Sequence, residues 1–256
     1  MNFLLCLLLS TTLAAFALWK KSMTPGGTLL AWLLCLWISY EGGLPAFLIL
    51  AVTFLLVIAA GKLAGKRSDP YNVRKKNGAR DAWRVLCNVG VAACALIPYA
   101  LWKDHRFLYV YAAVMAESLA DSLASKAGPL TRYATVDICT FRKISPGLSG
   151  GVSLLGTLSG LLGACIIAVL CTGFPTATLK IAATVAMTGF AGCLFDSVLG
   201  SVVQVKYLCT VCGMLVERDM HCGTAAIPCR GVRFITNDAV NILSNFFTFL
   251  LAAAVL

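Results

Sequence analysis

Charge is what this sequence has least of. Only 12% of its 256 residues are Asp, Glu, Lys or Arg, against ~25% in a soluble globular domain. That deficit excludes a water-soluble fold. It also leaves almost no chain for a soluble domain, because 59% of the residues are hydrophobic and the mean hydropathy is +0.86. Histidine is scarcer still, with two residues, His105 and His221. The first apolar stretch has no basic n-region and no small-residue cleavage site. It therefore reads as a retained span rather than a signal peptide.

What the chain has in abundance is long apolar runs. A membrane span needs ~20 predominantly apolar residues to cross a hydrocarbon core of ~30 Å. The expected fold class is all-α, a polytopic transmembrane helical bundle of about eight spans. These run near Asn2–Leu18, Thr28–Tyr40, Leu44–Ala60, Ala82–Trp102, Phe107–Lys126, Leu148–Leu170, Leu179–Val205 and Asp238–Leu256. The second is short enough to be tilted or re-entrant. The organisation is one integral membrane domain over 1–256, with a cysteine-rich loop at 206–237.

The net charge of +10 sets the expected orientation. With the Ala60–Asp81 connection in the cytoplasm, alternation puts Lys20/Lys21, Gly128–Gly147 and Lys206–Asn237 there too. Of 21 basic residues, all but Lys103, Arg106 and Lys180 then lie on or beside that side, which makes 18. The positive-inside rule favours this arrangement, with both termini on the opposite side. The same charge would attract anionic lipid headgroups, and no nucleic-acid partner is expected.

Nine of the twelve cysteines divide by context. Cys6, Cys35, Cys94, Cys165 and Cys193 sit in apolar spans as packing residues. Cys209, Cys212, Cys222 and Cys229 share one predicted cytoplasmic loop, where disulfides are rare. Cys209-Thr-Val-Cys212-Gly resembles a zinc knuckle, and Cys222 with either His221 or Cys229 could complete four ligands. A structural zinc would order a loop with little apolar core. The alternative is a set of free thiols.

Acids and amides inside the spans are the stronger functional signal. Asp121 follows Glu117 by one helical turn, and Ser125 continues the same face. Asp196 interrupts Gly189–Val203, Asn88 interrupts the fourth span, and Asn237, Asp238 and Asn241 open the eighth. A charge at the bilayer centre costs ~2.5–3.5 kcal/mol, so such groups usually face a polar cavity. Interhelical hydrogen bonding is the other reading, and it suits the Asn and Ser residues. The turn Gly147-Leu-Ser149-Gly150-Gly151 leads into the sixth span behind Arg142 and Lys143, an arrangement suited to phosphate. Its Gly-x-Ser-x-Gly pattern lacks the strand–turn–helix context of a hydrolase elbow. Gly61-Lys-Leu-Ala-Gly65-Lys66-Arg67 is one residue short of a Walker A loop and has no Ser or Thr for magnesium. Together these residues describe a site for an anionic, phosphorylated ligand and a divalent cation. Asp121 and Asp196 would hold Mg²⁺, which prefers oxygen ligands. Arginines and the glycine turn would hold phosphate oxygens.

Five ordered motifs resemble one family, the integral membrane proteins catalogued as domain of unknown function 92. They are Arg80-Asp-Ala-Trp-Arg-Val-Leu-Cys-Asn88, Ala120-Asp121-Ser-Leu-Ala-Ser125-Lys126-Ala-Gly128, Pro146-Gly147-Leu-Ser-Gly150-Gly151-Val-Ser-Leu-Leu-Gly156, Phe195-Asp196-Ser197-Val-Leu-Gly200-Ser-Val-Val-Gln204 and Asn237-Asp238-Ala-Val-Asn241. They span 80–256, whereas 1–60 carries variable spans. The family includes a plant phytyl-phosphate kinase similar to CTP-dependent lipid kinases, and its blocks are also similar to those of phosphatidate cytidylyltransferases. The resemblance implies transfer of a phosphoryl group from CTP or another nucleoside triphosphate to a prenyl or polyprenyl monophosphate. In that reading Arg80, Arg142 and Lys143 clamp phosphates beside the two aspartates. Asn88, Glu117, Ser125, Lys126, Gln204, Asn237, Asp238 and Asn241 shape the substrate cavity. The chain departs from the family at Lys126, where Glu is usual, and at Arg84, where Gln is usual. An anionic-lipid transporter or flippase and a catalytically idle scaffold are the rival classes. The inverted repeats common in transporters are not visible.

Overall fold

A computed structural model describes residues 3–65, 79–131 and 135–256. Most of the Ala60–Asp81 connection, including Lys66 and Arg67, lies outside these, as do residues 132–134 of the 128–147 connection. The helices are α1 (Phe3–Trp19), α2 (Pro25–Ala64), α3 (Ala82–Trp102), α4 (Arg106–Ala127), α5 (Leu154–Cys171), α6 (Leu179–Val202) and α7 (Asn237–Val255). Six are long and apolar enough to cross a membrane, and α1 is a shorter apolar helix.

The second and third expected spans are joined in α2, which has 40 residues. A straight helix of that length would run ~60 Å, twice the hydrocarbon thickness. It is instead broken at Gly43, whose φ of 70° lies in the left-handed region open to glycine, with Pro45 just after. The break reverses the chain. Ser22 before the first arm and Gly61 in the second both line a cavity with Arg80. Glu41, beside the break, reaches Lys103 at the far end of α3, 3.1 Å away. With its two arms taken separately, the described chain traverses the bundle eight times.

The central helix is α4, which packs against α2, α3, α5, α6 and α7. Its run from Leu108 to Leu119 is buried throughout. Small residues permit this crowding. Gly163 and Gly189 lie so close to α4 that a Cβ on either would meet the backbone of Ala120 or Glu117 at 3.0–3.2 Å. The Tyr111 hydroxyl, inside the bundle, donates to the Ala46 carbonyl at 2.8 Å and ties α4 to the returning arm of α2.

The sixth span begins later than its apolar pattern suggests. Residues 148–153 form a turn and a strand, and Ser153 caps α5 by accepting from Gly156 N–H. Two short strands, β1 (Val136–Asp137) and β2 (Gly151–Val152), pair antiparallel before it. The cysteine loop is built from β3 (Lys206–Leu208), β4 (Leu215–Val216), β5 (Met220–His221), β6 (Thr224–Ala225) and β7 (Ile227–Arg230). β3 lies between β4 and β7, and β5 pairs with β6. The end of α2, the start of α3, the end of α4, the glycine turn and the loop after α6 gather at one end of the bundle, and both termini lie towards the other.

Candidate functional site

A polar cavity of about 1310 Å³ opens at the loop-bearing end. Its walls come from α2, α3, α4, α5, α6, the glycine turn, the cysteine loop and the first two turns of α7. Of the residues read from sequence, Arg80, Asn88, Asp121, Ser125, Lys126, Ser149, Gly150, Gly151, Asp196, Gln204, Asn237, Asp238 and Asn241 line it. Residues as far apart as Arg80 and Asn241 thus share one space because four helices present their polar faces to it.

The acidic floor is hydrogen-bonded from α7. Ser244 Oγ lies 2.8 Å from Glu117 Oε1 and 3.0 Å from Asp196 Oδ2. A hydroxyl carries one proton, so it donates to one carboxylate at a time. Glu117 is 1% exposed and sits behind the cavity wall rather than in it. Asp121 and Glu117 both lie within electrostatic reach of Asp196. Asn245 donates to the Asn241 and Cys87 carbonyls at 2.7 and 3.2 Å, and its own Oδ1 accepts from Ser118 at 3.0 Å. Sequence reading missed Ser244 and Asn245. Their spacing of three and four from Asn241 puts them on its helical face, and that signal could have found them.

Cations line the cavity as well. Arg80 and Arg84 stand at the start of α3, where Arg84 Nε is 3.9 Å from Asp238. Burial and the neighbouring Arg84 pull the Arg80 guanidinium below its ordinary range. Lys62, Lys126 and, from the cysteine loop, Arg218 also line the cavity. A smaller apolar pocket between α1, α2 and α3 adjoins it. This pocket shares Phe54, Val57, Arg80, Arg84, Asn88 and Ser122 with the polar cavity.

Arg142 and Lys143 are not among the lining residues and are exposed. The reason is local. Asp137 N–H donates to the Arg142 carbonyl at 2.9 Å, and Val136 pairs with Lys143, so both cations sit on the returning strand of a tight turn outside the cavity. Asp137 anchors that turn by accepting from Cys139 N–H, Thr140 N–H and Ser201 Oγ. Burial works against the charge, and these donors outweigh it, holding the carboxyl below the usual carboxylate range.

The glycine turn is not an open cradle of N–H groups. Ser149 N–H donates to Glu217 Oε1, and Gly151 N–H donates to Leu148 O at 3.1 Å. Lys206 Nζ donates to Ser149 O at 2.9 Å. Burial lowers the Lys206 ammonium from its ordinary range, and Glu217 and Asp137 partly restore it. Gly150, at φ 85°, presses on Ser201 so closely that a Cβ would meet its backbone at 2.6 Å. Gly147 is buried beneath the turn and does not line the cavity. Gln204 is 2% exposed and borders the cavity, and its Oε1 has no partner among the described residues. No sequence pattern marked Glu217 or Lys206.

In the cysteine loop, ligand atoms of Cys209, Cys212, His221 and Cys222 all lie within 4.8 Å of one another. His221 Nδ1 is 3.4 Å from Cys212 Sγ and 3.3 Å from Cys222 Sγ. Cys229, the other candidate for the fourth position, is displaced onto β7, where its thiol donates to Lys206 O at 3.5 Å. Hydrogen bonds, chiefly from Cys212, lower the Cys209 thiol to about 6, while Cys212 and burial push Cys222 up to about 11. Among the described residues no other group of three or more His, Cys, Asp or Glu side chains comes so close together.

Fold and site define a class, an integral membrane helical bundle with one polar, acid-and-base-lined cavity at the end that carries its loops. The chain belongs to the family described as Integral membrane protein DUF92, whose model matches residues 8–249. It is similar to Protein PGR of Arabidopsis thaliana, 25% identical over 93% of this chain and 91% of that protein. It is 26% identical to the uncharacterised membrane protein sll0875 of Synechocystis, over 73% of this chain and 74% of that one. Protein VTE6, chloroplastic, of Arabidopsis thaliana is 23% identical over 81% of this chain and 57% of its own length. No solved structure matches the chain.

Proposed function

We propose that this protein is a membrane-embedded lipid kinase that moves the γ-phosphoryl group of a nucleoside triphosphate, CTP by preference, to a prenyl or polyprenyl monophosphate. The observation that carries the reading is the junction of the two cavities. A polar, charged space meets an apolar pocket at Arg80 and Arg84. An amphiphile could put its phosphate on those arginines and the start of its chain between α1, α2 and α3.

The acceptor phosphate is itself the nucleophile. One of its oxygens would attack the γ-phosphorus, forming a new P–O bond. The bond from that phosphorus to the β–γ bridging oxygen breaks, and the nucleoside diphosphate leaves with the electron pair. A phosphate monoester is already ionised, so no strong general base is needed and catalysis rests on positioning and charge neutralisation. Arg80, Arg84, Lys62 and Lys126 would hold phosphate oxygens in place of the Arg142 and Lys143 first expected there. Asp121 and Asp196 offer the hard oxygen donors that Mg²⁺ takes, from facing helices on the same cavity. When bound, Mg²⁺ would neutralise the triphosphate. Gln204 Oε1, a buried acceptor with no partner among the described residues, suits a ligand N–H such as the exocyclic amine of cytosine. The lysine and arginine asymmetry of the sequence favours a cytoplasmic mouth.

The test is an assay of the purified chain with γ-labelled nucleoside triphosphates and a panel of prenyl monophosphates. Label should appear in a prenyl diphosphate, fastest with CTP. A folded preparation that transfers no label to any prenyl phosphate would overturn the reading.

A further inference from the structure

We propose that Cys209, Cys212, His221 and Cys222 bind one structural zinc ion, and that this ion holds a wall of the polar cavity in place. Tetrahedral zinc with Zn–S ~2.3 Å and Zn–N ~2.0 Å requires S···N edges of about 3.5 Å. The two edges to His221 Nδ1 measure 3.4 and 3.3 Å. Three thiols and one imidazole make a closed, soft donor set of the structural kind, with no position left for a substrate.

Both ligand pairs sit on tight turns that aim them at one point. In the first, Val211 N–H donates to Cys209 Sγ at 3.4 Å, and Gly213 turns the chain at φ 71°. In the second, Cys222 and Gly223 take φ 51° and 77° between β5 and β6. The loop has little else to fold around. Its small apolar cluster buries only Leu148, Val216 and Ala226. Coordination would supply the stability that apolar burial does not.

The consequence for the cavity follows from chain order. Cys212 and His221 are nine residues apart. Between them run β4, then Glu217, Arg218 and Asp219, all three lining the cavity. One ion would clip both ends of that segment and set Glu217 where it receives Ser149 N–H. The zinc ligands do not themselves line the cavity. The site is thus independent of the kinase reading, and zinc content is measured without any substrate.

The experiment is elemental analysis of the full chain purified in detergent without chelator, with limited proteolysis alongside. About one zinc per chain is expected. Cys212→Ser and Cys222→Ser should each lose it, and Cys229→Ser, which alters the loop thiol outside the group, should keep it. Trypsin should cut at Arg218 in Cys212→Ser and in zinc-stripped wild type, and should spare that bond in untreated wild type and Cys229→Ser. If the serine variants do not fold, release of zinc from wild type by a chromogenic chelator decides the matter. A folded wild type without zinc after growth in zinc-supplemented medium would overturn the proposal. So would a disulfide within the group, or equal zinc loss from Cys229→Ser and Cys212→Ser.

Discussion

In α4, every residue from Leu108 to Leu119 is buried, Glu117 and Ser118 included. Between Lys206 and Arg230 only Lys206, Cys209, Val216, His221 and Ala226 are buried, and two of those five belong to the four-ligand group. The bundle can therefore carry an inward-facing carboxylate because the packing around it is overdetermined. The loop has few buried residues to pack, and Cys209 and His221 are buried where thiols and an imidazole converge. The cavity lies between the two, with Asp121, Asp196 and most cations from the packed side and Glu217, Arg218 and Asp219 from the other.

The largest expected effect is on the packed side. Asp121→Asn and Asp196→Asn should each slow phosphoryl transfer ~10³-fold or more, about 4 kcal/mol of transition-state stabilisation. The melting temperature in detergent should hold, because an uncharged Asn inserts into a bilayer at least as readily as Asp. Initial rates against Mg²⁺ concentration measure this. Near-wild-type rates at low Mg²⁺ would remove that aspartate from the mechanism.

Packing itself is tested next. Gly189→Val would force a side chain against Ala116 and the Glu117 backbone and should cost ~1–3 kcal/mol. A lowered melting temperature reports it. An unchanged one would mean that α6 can shift away from α4. For the loop, zinc stripping should leave the helical circular dichroism of the bundle intact while protease cleavage in the loop rises. Loss of helix on stripping would erase the division between the regions. The smallest effect belongs to Glu41→Gln. Its partner Lys103 has a 65% exposed side chain, so stability should change by less than about 1 kcal/mol.

Much of the cavity was legible because membrane insertion makes each inward acid or amide conspicuous. Asp121, Asp196, Asn88 and Asn241 were marked by apolar surroundings or a span edge and Arg80 by its place in a family motif, and all meet in one space. Arg142 and Lys143 were misplaced because adjacency to a glycine turn was read as pointing toward it. A two-strand turn carries them away. The open nest expected at Gly147–Gly151 failed for a similar reason. Its Ser149 N–H was already met by a residue 68 positions later.

By itself the sequence determined the class, the helical spans and the inventory of polar groups within them. Hydropathy is a local sum set against a fixed hydrocarbon thickness, so some twenty apolar residues suffice to decide each span. Tertiary structure alone decided that His221 rather than Cys229 joins the thiols and that Glu217 closes on the glycine turn. Each of these depends on where a turn aims a side chain and on which distant segment arrives there, and neither can be read from any short stretch of the chain.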